Sequence, residues 1–326
     1  MAVTRNVKMR LEDVKNMAVI GAGIMGHGIA QTFASGGYRV SLSDVNDTIL
    51  NNAVNRIRGN LETFARNGFI SQDEIGNTLS RITAIPDLQK AVCDADIVIE
   101  AVIEDIEVKR KLFNQLDTLC PSRTILASNS SSLLISDFAS RTKRQDRVVL
   151  THWINPPHIV PTVEIIRGRK TSDETVELVY ALLKKVGKLP VRILKEIPGY
   201  LVNRIQLAML REVWYLWEQG VATPEDIDLA VKGGFGFRLA SIGPLLTNDL
   251  GGNDTNYRVA KYLFPLINDS HKPPLGLKKM VEAGELGAKT GKGFFDYSHE
   301  EWDRIIEQRD REFLQRLKAL YRSQQS

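Results

Sequence analysis

Cysteine is nearly absent: Cys93 and Cys120 are the only two among 326 residues, and neither sits in a CxxC or Cys/His cluster. Disulfide frameworks and structural zinc have no support, no metal site is expected, and a reducing cytoplasmic setting is the default. Long apolar runs are missing as well. No segment approaches the ~18 uninterrupted apolar residues of a membrane-crossing helix. The extension of residues 1–16, with Arg5, Lys8, Arg10 and Lys15, lacks the apolar stretch of about 7 residues in a secretory signal. An excess of one charge is lacking too: 43 Lys+Arg stand against 39 Asp+Glu, a formal +4, with basic residues scattered among acids. No stripe for a nucleic-acid backbone results, so neither nucleic acid nor a membrane is an expected partner. There is no internal repeat and no low-complexity segment.

What is present is an ordinary globular composition, 43% hydrophobic and 25% charged, which excludes a disordered or fibrous chain. The length exceeds the ~150-residue soft prior for one domain and predicts two. From Met17 to about Leu194, short apolar runs that read as buried parallel strands alternate with helical patterns: MAVIGAG, RVSLSDV, ADIVIEAVIE, TILASNSS, VVLTHWI, TVEII and PVRIL. Such alternation predicts an α/β fold with a Rossmann-type doubly wound sheet. Pro198-Gly199 then punctuates the chain, which places a nucleotide-binding domain at residues 17–196 and an all-α C-terminal domain at 197–326. The segment from Leu201 to Trp217 is helical and apolar on several faces, at Leu201, Ile205, Ala208, Val213 and Leu216. It is expected in the middle of the helical domain and at a homodimer interface. Thr223-Pro224-Glu225-Asp226 reads as a capped helix start, and Ser298-His299-Glu300-Glu301 as a capping box opening a last amphipathic helix. The apolar stripe of that helix is expected to pack on its own protein or a twin subunit.

Gly21-Ala22-Gly23-Ile24-Met25-Gly26 is a GxGxxG between the first strand and a helix. The first glycine permits the tight turn, the second lets the backbone approach a pyrophosphate, and the third lets helix and strand pack closely. The amides at the helix start attract the anion. Asp44 closes the next strand, where a carboxylate accepts hydrogen bonds from a ribose diol and repels a 2′-phosphate, so NAD is expected rather than NADP. Methyltransferases that bind S-adenosylmethionine share this turn and acid, and the next pattern separates the two classes. In VVLTHWINPP and VPTVEII, His152 and Glu164 lie on neighbouring strands joined by a proline-rich turn. A carboxylate beside an imidazole fixes its tautomer and stabilises the imidazolium. A base that accepts a hydroxyl proton during hydride transfer needs both.

At these residues the sequence resembles the L-3-hydroxyacyl-CoA dehydrogenase family, from Met17 to about Tyr297. The resemblance implies an NAD-dependent oxidation of a 3-hydroxyacyl-CoA to its 3-keto form by a homodimer. His152 would remove the hydroxyl proton and Glu164 would support it. Ser131, in Ser128-Asn129-Ser130-Ser131-Ser132, and Asn203, in PGYLVNR, would bind the substrate oxygen. The GxGxxG residues Gly21 to Gly26, Asp44, Glu104, Lys109, Ser131, Asn155 and Lys289 would contact the cofactor. The family's CoA-holding serine and lysine fall on Asn60 and Asn67, with Arg56, Arg58 and Arg66 nearby. HWINPPH also resembles relatives acting on free hydroxy acids or alcohols, including lambda-crystallins, gulonate dehydrogenases and a dehydrogenase of pyridine carboxylates. His158 in that loop is a candidate contact for a substrate carboxylate. Three readings follow: the thioester substrate, a free hydroxy acid or ring alcohol, and a crystallin-like structural protein that has lost the reaction.

Overall fold

A computed structural model describes residues 9–323; Arg5 and Lys8 of the N-terminal extension lie outside the described residues. Two compact units emerge, the first running to Leu201 and including Phe313–Leu317, the second holding Val202–Glu312 and the chain from Lys318 on.

The first unit is an eight-stranded sheet. Its strands are β1 (Asn16–Ile20), β2 (Arg39–Ser43), β3 (Ile82–Ala84), β4 (Ile97–Glu100), β5 (Ile125–Ser128), β6 (Val148–Trp153), β7 (Thr162–Arg167) and β8 (Leu189–Ile193). Their order in space is β3-β2-β1-β4-β5-β6-β7-β8, the doubly wound order that reverses beside β1. The helices are α1 (Gly26–Ser35), α2 (Asp47–Arg66), α3 (Gln72–Leu79), α4 (Leu88–Val92), α5 (Ile106–Leu119), α6 (Ile135–Phe138) and α7 (Asp173–Lys185). Alternate side chains of each strand feed opposite faces. Met17 and Val19 join Ile29, Phe33, Leu61 and Trp153 in one core, while Ala18 and Ile20 join Phe113, Leu116 and Phe138 in the other. Covering both faces is why these strands read as unbroken apolar runs. Local chemistry starts the helices: the side chains of Asn46, Asp105 and Ser172 accept the amides of Ile49, Val108 and Thr175.

Two features depart from the sequence reading. β3 is an additional edge strand, three residues long with two of them exposed, too short and polar to register as an apolar run. β7 runs antiparallel to β6, with His152 opposite Glu164. The segment between them has no room for the crossover helix a parallel pair requires.

The second unit contains α8 (Val202–Glu218), α9 (Pro224–Gly233), α10 (Phe235–Leu239), α11 (Pro244–Gly251), α12 (Asn253–Leu263), α13 (Leu275–Glu282) and most of α14 (His299–Ser323). Thr223 caps α9 through the Asp226 amide, with Pro224 at the first position. Ser298 and Glu301 exchange the two bonds of a capping box before α14. α8 differs from expectation. None of its residues is buried, and among the described residues of this unit Ile227 is the one buried side chain. Ile205 and Leu207 are exposed and residues 209–217 are half-buried, so the expected place in the middle of the helical domain's core is not met.

Candidate active site

The ends of β1, β2, β4 and β5 converge on one edge, where ligands of doubly wound sheets bind. Gly21 leaves β1 at φ 98, and a Cβ there would come within 2.4 Å of the Ala101 carbonyl oxygen. A Cβ on Gly26 would collide with the Gly21 carbonyl. At Gly23 a Cβ would meet nothing within 4 Å, so the open space a pyrophosphate needs lies over that backbone. Ile24 is 66% exposed at the same turn, and Met25 precedes the first residue of α1. The Asp44 carboxylate accepts the Ala22 amide at 2.6 Å and the Val45 amide at 2.7 Å, which ties the end of β2 to the glycine turn. Beside it a cavity of about 410 Å³ is lined by Asp44, Val45, Leu88, Val102 and Gln115, among others. Apolar walls with one acid at the rim suit an adenosine. Val45 and Val102 lie at the ends of the apolar runs RVSLSDV and ADIVIEAVIE, where they read as strand residues and not as cavity lining, and Leu88 belongs to no run.

On the β6–β7 pair the cross-strand register brings His152 and Glu164 together. Glu164 Oε2 lies 2.6 Å from His152 Nδ1, and Oε1 accepts the Leu201 amide at 2.9 Å. Glu164 is fully buried and His152 is 3% exposed. With Nδ1–H pointing at the carboxylate, Nε2 is the ring's acceptor. Tyr200 completes this corner. It is buried, its ring centroid lies 5.3 Å from that of His152, and its hydroxyl donates to the Leu133 carbonyl at 2.7 Å. Its backbone is left-handed, φ 53, a costly conformation for a bulky side chain. That turn aims the Leu201 amide at Glu164.

The serine turn after β5 is held by carboxylates. Glu104 Oε1 accepts the Ser130 hydroxyl at 2.6 Å and the amides of Ser131 and Ser132 at 2.9 Å. Partial burial works to raise the Glu104 pKa, but the Ser130 hydroxyl, the Ser132 amide and the Lys109 charge outweigh it and hold the carboxyl down at about 2. Lys109 is 1% exposed, with Nζ 2.6 Å from Glu100 and 3.3 Å from Glu104. Glu100 also accepts the Ser128 hydroxyl. Lys109 therefore meets protein carboxylates on its buried side, and Glu100 is a buried acid that sequence reasoning passed over inside the apolar run IVIE. The Asn129 side chain accepts the Trp153 amide at 2.9 Å, joining the serine turn to the histidine strand.

Asn155 lies two residues past the end of β6 and three before His158 in the loop. Asn203 lies in the first turn of α8, and Lys289 in a 3-10 turn, Ala288–Thr290, both in the second unit. Asn60 donates to Gln31 at 2.9 Å, and Asn67 donates to the Thr63 carbonyl at 2.8 Å.

Known proteins bear on this arrangement. Residues 16–197 match the NAD binding domain of 3-hydroxyacyl-CoA dehydrogenase, and residues 199–297 match the C-terminal domain of the same enzyme. The chain belongs to the 3-hydroxyacyl-CoA dehydrogenase family. It is an NAD-dependent oxidoreductase. A probable 3-hydroxybutyryl-CoA dehydrogenase of Bacillus subtilis is 41% identical over 87% of this chain and 98% of its own. Among solved structures, an NAD+-dependent dismutase, 5-formyl-3-hydroxy-2-methylpyridine 4-carboxylic acid 5-dehydrogenase, superposes with TM-score 0.86 at 33% identity, over 92% of this chain and 96% of that one. The (S)-3-hydroxybutyryl-CoA dehydrogenase of Ralstonia eutropha superposes with TM-score 0.72 at 35% identity, over 87% and 99%.

Proposed function

We propose that this member of the family oxidises the 3-hydroxyl of a 3-hydroxyacyl-CoA to the 3-keto compound, reversibly, with His152 as the base. The observation that carries the reading is the buried 2.6 Å contact between Glu164 and His152 Nδ1, which leaves Nε2 to take the hydroxyl proton. Glu164 keeps the ring in that tautomer and stabilises the imidazolium as it forms. Ser131 and Asn203 hold the substrate oxygen in this reading, which the family likeness supports. NAD, when bound, would supply the hydride acceptor. Gly21, Gly23, Ile24, Met25 and Gly26 cradle its pyrophosphate, Asp44 its ribose, and Glu104, Lys109, Ser131, Asn155 and Lys289 complete the cofactor site. Asp44 makes NAD the preferred cofactor over NADP.

A second reading, the same chemistry on a free hydroxy acid or ring alcohol, draws on the side chains of Asn60 and Asn67. Both are bonded within the protein at places where a serine and a lysine would meet CoA. The higher superposition on the pyridine enzyme, 0.86 against 0.72, favours it too. One steady-state assay separates the readings: NAD and NADP against 3-hydroxybutyryl-CoA, a longer 3-hydroxyacyl-CoA, gulonate and a panel of hydroxylated ring acids. Turnover of the thioesters alone supports the first, and of the ring acids alone the second. Turnover of none overturns both substrate readings.

We also infer a homodimer built on the second unit, with residues 1–16, 17–196 and 197–326 as extension, cofactor domain and helical domain. Its support is the apolar area left in solvent: Ile205 65%, Leu245 78%, Leu250 73% and Phe264 69% exposed. Monomers do not ordinarily leave so many large apolar side chains uncovered together. Cytoplasmic residence fits the exposed free thiol of Cys93. Among the described residues no helix is long and apolar enough to cross a membrane.

A further inference from the structure

Lys188 stands between α7 and β8, outside the acid–base pair and the serine turn. It is 5% exposed, with Nζ 2.6 Å from the Pro157 carbonyl oxygen and 3.0 Å from that of Val160. The ammonium also lies over the Trp153 ring, 5.5 Å from its centroid. No carboxylate is paired with it among the described residues, and burial pushes its pKa down to about 7. A buried ammonium without a counter-ion is costly, and an apolar side chain of the same length would fill the space at less cost. The two carbonyls give the charge its reason.

Those carbonyls belong to a single turn in which the amides of Ile159 and Val160 donate to the Pro156 carbonyl. The turn begins at Asn155 and carries His158. On its other side it packs on α1, where a Cβ on Gly28 would come within 2.8 Å of Pro157 and 2.9 Å of His158. α1 is the helix whose start forms the glycine-rich cofactor turn. The loop is therefore gripped between the cofactor helix and one buried cation.

We propose that Lys188 is a positioning residue that clamps residues 155–160 against α1 and thereby sets the place of Asn155 in the cofactor site. The proposal rests on the reading of Asn155 as a cofactor contact. The test substitutes Lys188→Met, which keeps nearly the same length and removes both hydrogen bonds of Nζ, and Lys188→Arg, which keeps a charged donor. Two quantities are read on the folded proteins: amide hydrogen exchange at Ile159 and Val160 without nucleotide, and the dissociation constant for NAD by calorimetry. The expected result for K188M is faster exchange at those two amides and NAD binding weakened about tenfold, the loss that goes with one displaced hydrogen bond to the cofactor. K188R should restore part of both. Faster exchange with parent-like NAD binding makes Lys188 a structural pin only and overturns the proposal. Parent-like values of both overturn it as well. If K188M does not fold, Lys188→Gln takes its place in the same measurements. If neither folds, Lys188 serves stability alone and the proposal falls. Because exchange and NAD binding need no substrate, these failures are distinct from a failure of the substrate assignment.

Discussion

In the unit that ends at Leu201, Glu100, Lys109, His152, Glu164 and Lys188 are all covered, whereas the unit beginning at Val202 leaves Ile205, Leu207, Leu245 and Phe264 in solvent. Each arrangement is unfavourable taken alone. Burying ionisable groups costs free energy unless each is paired or hydrogen-bonded, and every one of these five has such a partner. Exposing large apolar side chains costs about 1.5–3 kcal/mol apiece relative to burying them. The difference teaches that the first unit buries polar groups held in place by partners, whereas the second leaves large apolar side chains in solvent, as the proposed dimer would require.

The sharpest test of that contrast is His152→Gln. If the buried pair serves chemistry, turnover falls by about 10²–10⁴, the range of a lost general base, with NAD affinity and thermal stability near those of the parent. Glu164→Gln should slow turnover as well, because a neutral amide stabilises the imidazolium less than a carboxylate. A folded His152→Gln enzyme working at the parent rate would remove the acid–base assignment, and His158 would be tested next.

A charge placed on the second unit probes the other side of the contrast. Phe264→Glu or Leu207→Glu should weaken self-association by about 10²–10⁴-fold, because a two-fold dimer loses the apolar burial of ~1.5–3 kcal/mol twice. NAD binding by the first unit should be unchanged. Light scattering reads the outcome: the parent chain of 36.5 kDa should run at twice that mass and the variants should dissociate on dilution. A parent that stays monomeric at micromolar concentration breaks the comparison.

How legible this was follows from the same contrast. The sheet could be read because strands covered on both faces leave unbroken apolar runs, and the glycine turn because its residues serve the backbone and have no substitute. β3 escaped because its three residues lie at an edge. Glu100 escaped because one acid at the end of IVIE looks like the end of a strand, and Lys188 because one lysine after a glycine looks like a surface turn. Tyr200 escaped because a left-handed backbone at a tyrosine is invisible in composition. Roles set by three-dimensional neighbours leave no period in the sequence, and the exposure of α8 is likewise a property of the fold.

Tyr200→Phe sharpens the comparison at its boundary. It deletes the hydroxyl bonded to Leu133 and leaves the ring against His152. The half-buried Leu133 carbonyl keeps the Ser130 hydroxyl at 3.3 Å as a donor, so unfolding free energy should fall by the roughly 1–1.5 kcal/mol of one net hydrogen bond. Denaturant unfolding measures it, and no loss would mean that the hydroxyl does not hold the serine turn.

The smallest expected effect concerns Glu104, which is buried only in part. Its carboxyl is held at about 2, below its ordinary value of 4.5. A depressed folded-state pKa means that the carboxylate stabilises the fold fully above the unfolded value, and that this contribution is lost as pH falls through about 4.5 toward 2. The side chain is 37% exposed, so solvent screening reduces the contribution at neutral pH to about 1 kcal/mol. Glu104→Gln should therefore be slightly less stable than the parent at pH 7, and the two should converge as the parent's carboxyl takes up its proton. Urea unfolding at pH 7, 4 and 3 measures the gap. A gap that stays constant across that range would mean that packing of the serine turn, and not the charge on Glu104, supplies the stability.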